Sequence, residues 1–157
     1  MSSKKRHGSG TPPKLTDEDK QRLNKELLPV MDNVQVYKDT FDLLVFVYRT
    51  ISGMKREYRY TLAEEMKMTL QKLLATIYEA RKHQPPRSPL LEEAMRWCYE
   101  AKVIYRTMDE LSLLKSSKCA VYIHYLSIIS KQLTAWHRYE IRKEKENDNQ
   151  ETPSDGT

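Results

Sequence analysis

The placement of glycine and proline leaves this chain few folds to choose from. Gly53 is the only glycine between Gly10 and Gly156, and the seven prolines fall at Pro12, Pro13, Pro29, Pro85, Pro86, Pro89 and Pro153. Residues 90–152 contain neither. Sandwiches and barrels need frequent turns, and turns draw on these two residues, so long helices are implied instead. Apolar residues recur at spacings of three and four through each uninterrupted stretch, the period of one helix face.

Four long helices follow. The first is expected over about 33–52, with a stripe of Val34, Tyr37, Phe41, Leu44, Tyr48 and Ile51, widened by Val45 and ended by Gly53. Met54 to Tyr60 reads as a loop. Thr61 then caps a second helix, and Glu64, three residues on, completes a capping box. Its stripe is Leu62, Met66, Leu70, Leu73, Ile77 and Ala80, with Leu74 beside it, and it stops near His83, ahead of Pro85. Ser88-Pro89 starts the third helix, whose stripe is Leu91, Ala94, Cys98, Ala101, Tyr105 and Met108. Leu111, Leu113 and Leu114 are expected to plug one end of the core. The fourth begins at Ser116 or Ser117 and carries Tyr122, Tyr125, Ile129, Leu133 and Trp136, broadened by Val121, Leu126 and Ile128, and its pattern allows it to run on through Glu140 into the charged tail before fraying.

The expected fold is an all-α, up-down-up-down antiparallel four-helix bundle over residues 31–143. Before it come a disordered basic arm (1–15) and a short helix (16–30) capped by Thr16 and Asp19; after it comes an acidic disordered tail (144–157). The apolar stripes exceed the single face that a bundle core needs, and the surplus points to a homo-oligomer. Trp97, Tyr105, Tyr122 and Trp136 are the candidates for its interface, although the place of Trp136 at the end of the fourth stripe reads first as core and only otherwise as an interface anchor.

Charge is divided along the chain. Residues 32–143 hold 19 Lys/Arg against 13 Asp/Glu, whereas residues 144–157 hold one Lys against five acids. A basic body suggests an anionic partner, and topology sorts its charges to two ends. Lys55, Arg56 and Arg59 lie beside Tyr58 and Tyr60 in the first connection, and Lys115 and Lys118 fall at the same end of an up-down bundle. Arg81, Lys82, His83 and Arg87 share the other end with Arg138, Arg142 and Lys143. Guanidinium groups near aromatic rings suit phosphate and base contacts, and solvated helix faces are the plain alternative. Arg106 follows Val103-Ile104-Tyr105 and is a candidate for a subunit contact or a central opening, with a solvent-facing, snorkelling side chain the plainer reading.

Catalytic chemistry has no visible basis. No His-x-x-x-His, Glu-x-x-His or Cys-x-x-Cys pair exists to assemble a metal, and no glycine-rich phosphate loop is present. Cys98 lies on an apolar stripe, where a thiol stays protonated. No catalytic residue, metal or cofactor is therefore expected. Two cysteines in different helices imply reduced intracellular thiols and a cytoplasmic protein, and no apolar run is long enough to span a membrane.

Several segments resemble a known family. They are Tyr37-Lys38-Asp39-Thr40-Phe41-Asp42-Leu43-Leu44, Arg56-Glu57-Tyr58-Arg59-Tyr60-Thr61-Leu62, Ile77-Tyr78-Glu79-Ala80 and Gln132-Leu133-Thr134-Ala135-Trp136. Together they are similar to the accessory variability determinant (Avd) proteins of diversity-generating retroelements, within the four-helix group that includes ribosomal-RNA intervening-sequence proteins. The resemblance covers about residues 31–142. It implies a basic, barrel-shaped homopentamer that binds nucleic acid and the retroelement's reverse transcriptase. Such a protein assists mutagenic copying of template-repeat RNA into cDNA without catalysing polymerisation. It makes Lys55, Arg56, Arg59, Arg81, Lys82 and Arg106 the leading contacts, for RNA or for an acidic face of the polymerase. The competing reading is a structural protein–protein adaptor with no direct nucleic-acid role.

Overall fold

The structure is a computed structural model of the 157-residue chain, and residues 10–27 and 34–151 are described. The chain divides into two units, residues 1–33 and 34–157. The described part is all-α, with no strand among the described residues. The expectations for residues 1–9, 28–33 and 152–157 lie outside the described residues.

In the first unit, α1 (Asp17–Leu27) starts as expected. The Asp19 amide donates to Thr16 Oγ1 (3.1 Å) and the Thr16 amide to Asp19 Oδ2 (3.4 Å), so two of the amides at this helix start gain acceptors. Asp17, Glu18 and Asp19 sit at the positive end of the helix dipole. The helix buries no residue within its unit, and Leu23 and Leu27 are exposed.

In the second unit, α2 (Gln35–Thr50), α4 (Leu62–Lys82), α5 (Ser88–Glu110) and α6 (Ser116–Glu151) form a helical bundle, with α3 (Arg56–Arg59) a single turn between α2 and α4. α2 packs on α4 and α6, and α5 packs on both as well. Met66, Leu70, Leu73 and Ile77 of α4 are fully buried, as the periodicity requires. All six stripe residues of α5 are buried too. Tyr122 joins three helices: its ring stacks on Tyr105 at 5.5 Å and meets the edge of Phe46 at 5.4 Å.

α2 departs most from expectation. Its buried face is Val36, Asp39, Thr40, Leu43, Leu44 and Val47, while Phe41 and Tyr48 are 47% and 48% exposed. Two stripes on this helix satisfy the same spacing, and polar residues in one of them hid it. Thr40 is accommodated because its hydroxyl donates to the Val36 carbonyl (2.7 Å). Asp39 is accommodated because Gln35 Nε2 (2.9 Å) and Gln132 Nε2 (2.7 Å) both donate to its carboxylate.

The connections also differ. Gly53 does not end α2 in a left-handed conformation; a 3-10 turn over Ile51–Gly53 does. The expected loop at 54–60 contains α3, and Met54 is buried. Thr61 makes no cap bond: its hydroxyl donates back to the Glu57 carbonyl (2.9 Å), and Glu64 is taken by Lys67 Nζ (2.8 Å). The helical turn of α3 supplies that free carbonyl, which is why the capping box does not form. α5 ends with Ser112 at φ 56°, its amide bonded to Asp109 O and the Leu113 amide to Met108 O. Leu111 is left 47% exposed rather than plugging the core, and Leu113 and Leu114 are half-buried.

α6 runs for 36 residues, about 54 Å, through Glu151. The fourth helix thus runs on into the charged tail, over 144–151. Glu144 ties this extension to α5, accepting from the Ser88 amide (3.1 Å) and hydroxyl (2.9 Å).

Candidate nucleic-acid interface

Basic residues do gather at the α2–α4 connection. The turn Ile51–Gly53 and α3 carry Lys55 and Arg56 on the surface, and Arg59 half-buried with its Nε enclosed and unpartnered. The α5–α6 connection comes to the same place. Lys118, in the first turn of α6, has its Nζ 3.4 Å from where a side-chain carbon at Gly53 would lie. Lys115, three residues earlier, is exposed. Residues more than 50 positions apart thus form one basic surface, with Tyr58 half-buried and Tyr60 68% exposed beside it. Glu57 shares α3 with them and Asp109 lies nearby, accepting from Cys119 Sγ (3.6 Å). None of Lys55, Arg56, Arg59, Lys115 and Lys118 is ion-paired with another described residue.

The second cluster is chemically different. Arg81 and Lys82 are exposed at the end of α4, and Lys82 Nζ donates to the Tyr78 hydroxyl (2.6 Å) while covering that ring. Arg87 is committed to structure. Its Nε donates to the His83 carbonyl (2.9 Å) and its guanidinium reaches Glu140 at 3.4 Å. Arg138 and Arg142 are exposed and line a shallow depression with His137 and Ile141. Lys143 lies over the Tyr139 ring at 5.0 Å; that hydroxyl is the main reason its ammonium pKa is raised, while nearby Arg87 opposes the shift. Glu140 and Glu144 place acidic oxygens within this cluster, which weakens its pull on phosphate.

Arg106 is exposed near the C-terminal end of α5, 3.6 Å from Glu110. It lines a surface depression with Tyr99, Val103 and Leu111.

The interface candidates divide. Tyr105 and Tyr122 are 7% and 1% exposed, so neither has surface to offer a partner; they are core residues. Burial pushes the Tyr105 phenol up to about 12, with Cys119 adding to it, and raises Tyr122 as well. Trp136 is half-buried, its indole N–H donating to Glu140 (3.3 Å). Trp97 is half-buried under Lys72 (4.8 Å), with its indole nitrogen enclosed and unpartnered.

Sequence reasoning missed Glu140, Glu144, Tyr78 and Tyr139. The tyrosine–lysine pairs were legible as i, i+4 spacing, Tyr78/Lys82 and Tyr139/Lys143. The roles of the two glutamates depend on Arg87 and Ser88, more than 50 residues away, and no local signal reveals them.

No protein-family model matches the chain, and no curated protein matches it. The described residues bring no three His, Cys, Asp or Glu side chains together as a metal site would need. Cys98 is buried, which pushes its thiol up despite Lys102 and Ser130 nearby. No described helix is long and apolar enough to cross a membrane.

Proposed function

We propose that the protein is a non-enzymatic accessory subunit of a retroelement reverse transcriptase, binding nucleic acid and the polymerase to support mutagenic cDNA synthesis from template-repeat RNA. The bundle helices run up, down, up and down, and the protein acts as a cytoplasmic homo-oligomer, a pentamer by resemblance to the Avd proteins. The observation carrying the nucleic-acid part is the approach of Lys118 to Gly53, which joins the basic residues of two separate connections into one unpaired surface. Cationic side chains with an exposed tyrosine are the combination that holds a single strand, by phosphate contact and base stacking. Titrating labelled single-stranded RNA with the full chain at 50 mM salt tests it. Saturable binding is expected, and no binding at that salt removes this part of the proposal.

The adaptor reading is favoured by a different observation, the exposure of Phe41, Tyr48, Tyr99 and Val103 on the bundle's sides. In that case charge reversal at Lys55, Arg56 and Arg59 abolishes association with the polymerase and leaves nucleic-acid behaviour unchanged. Under the leading reading the same reversal weakens RNA binding.

A further inference from the structure

The exposed rings of the bundle are not scattered. Six aromatic rings are exposed among the described residues, and Phe41, Tyr48 and Tyr78 all lie on α2 or α4, with Tyr60 just before the start of α4. Contacts place the three along one seam. Gln71 of α4 donates to the Tyr48 hydroxyl (3.2 Å), and Lys67 Nζ stands 4.4 Å from the centre of the same ring. Farther along, burial pushes the Tyr37 phenol up, and Tyr78 beside it adds to the rise. Tyr37 to Tyr48 is 11 residues of α2 and Lys67 to Tyr78 is 11 residues of α4, so the helices stay paired over about 16 Å. Phe41, four residues after Tyr37 and seven before Tyr48, falls on the same face of α2.

Cations accompany these rings. Lys67 attends Tyr48, and Lys82 Nζ lies 4.7 Å from the centre of the Tyr78 ring while donating to its hydroxyl (2.6 Å). Arg81 is exposed next to Lys82, and Arg56 and Arg59 stand at the opposite end of α4. Two acids are close. Glu64 is already held by Lys67 at 2.8 Å, and Glu79, the residue after Tyr78, lies about 100° around α4. The exposed aliphatic side chains of this region sit on the other flank of α4, where Met68 shares a depression with Val103 of α5. The α2–α4 seam is therefore lined by rings, hydroxyls and ammonium groups, and it leads from one basic cluster to the other.

We propose that this seam is a track for single-stranded nucleic acid, with phosphates meeting its lysines and bases stacking on Tyr48, Phe41 and Tyr78. The proposal rests on the nucleic-acid reading above and extends it from one basic end along the side of the bundle. An unpaired strand offers each ring-and-ammonium pair both things it takes, a base face for the ring and a phosphate for the cation. A duplex keeps its base faces inside its own stack and can use only the cations. Protein surfaces that bury apolar area suit the aliphatic flank shared with α5 better than this one. The 21 residues of α4 give the track a length of about 31 Å, enough for several nucleotides.

The test is fluorescence anisotropy of the full chain with two labelled strands of equal length at 50 mM salt, oligouridylate and an abasic phosphate strand. Wild type, F41A/Y48A and F41Y/Y48F are compared, with circular dichroism to verify folding. F41A/Y48A is expected to bind oligouridylate at least about tenfold more weakly, because two stacking rings are lost. Its affinity for the abasic strand stays within about twofold of wild type, since the charges are untouched. F41Y/Y48F keeps both rings and keeps the wild-type affinity. Should F41A/Y48A lose helicity, F41A alone is expected to weaken oligouridylate binding at least about fivefold. A folded F41A/Y48A or F41A that binds oligouridylate as wild type does overturns the track, and so does an equal loss for both strands. Those results leave the basic end standing, whereas a wild type that binds neither strand overturns the nucleic-acid reading with it.

Discussion

Replacing Arg87 with methionine tests a residue of the second basic cluster that is also committed to the packing of α6. Glu140 is 2% exposed, and its carboxylate is held by the Arg87 guanidinium at 3.4 Å and the Trp136 indole at 3.3 Å. Removing the cation from a fully buried pair costs about 3–5 kcal/mol, because the remaining charge stays desolvated. Arg87 keeps 26% of its side chain exposed, so water replaces part of what it supplied, and Trp136 remains as a donor. The expected loss is therefore about 2 kcal/mol, or about 6 °C in Tm for a chain of this size. Urea unfolding followed by circular dichroism measures it as a lower midpoint with an unchanged slope. The double variant R87M/E140M, with no charge left to strand, should recover most of the loss. A change below about 0.5 kcal/mol in R87M, or a double variant as unstable as the single, refutes the reasoning.

Further consequences can be checked in the same way. Ser112 occupies a left-handed position at the end of α5, so S112G should raise stability by about 0.5 kcal/mol in the same urea assay. Tyr105 and Tyr122 have raised pKa values in the folded protein, so the stability they contribute is complete below the unfolded value near 10. It is lost as pH rises through the folded values, and Y122F should flatten part of that alkaline decline in an unfolding series from pH 8 to 12. Glu144 accepts two hydrogen bonds at the start of α5, so E144A should cost about 1 kcal/mol in urea unfolding. Deleting residues 144–157 should also raise RNA affinity in a binding titration by removing acids beside the second basic cluster, and an unchanged affinity counts against that role.

The stripes of α4 and α5 were readable because each helix has one dominant apolar face. Leu91, Ala94, Cys98, Ala101, Tyr105 and Met108 leave no competing register. α2 was misread because Val, Tyr and Phe surround it, and Thr40 and Asp39 pass for surface residues until Val36, Gln35 and Gln132 satisfy them. The same ambiguity explains the interface candidates. Aromatic residues on a stripe can serve a core or a partner, and the stacking of Tyr105 on Tyr122 assigns both to the core. The first basic cluster was legible because topology alone brings two connections together. The second was only half legible, since the acids that offset it, Glu140 and Glu144, take their places from Arg87 and Ser88, more than 50 residues away.

The central claim is that the surface built by Lys55, Arg56, Arg59, Lys115 and Lys118 holds the nucleic-acid backbone. The most direct measurement is the salt dependence of single-stranded RNA affinity for wild type against K55A/R56A. Five phosphate contacts give a slope of log affinity against log salt of about −3.5, hence about a 130-fold loss between 50 and 200 mM salt. Losing two contacts should bring the slope to about −2.1 and the loss to about 18-fold. An R138A/R142A variant serves as the comparison and should change the slope less. Equal slopes for wild type and K55A/R56A would contradict the account.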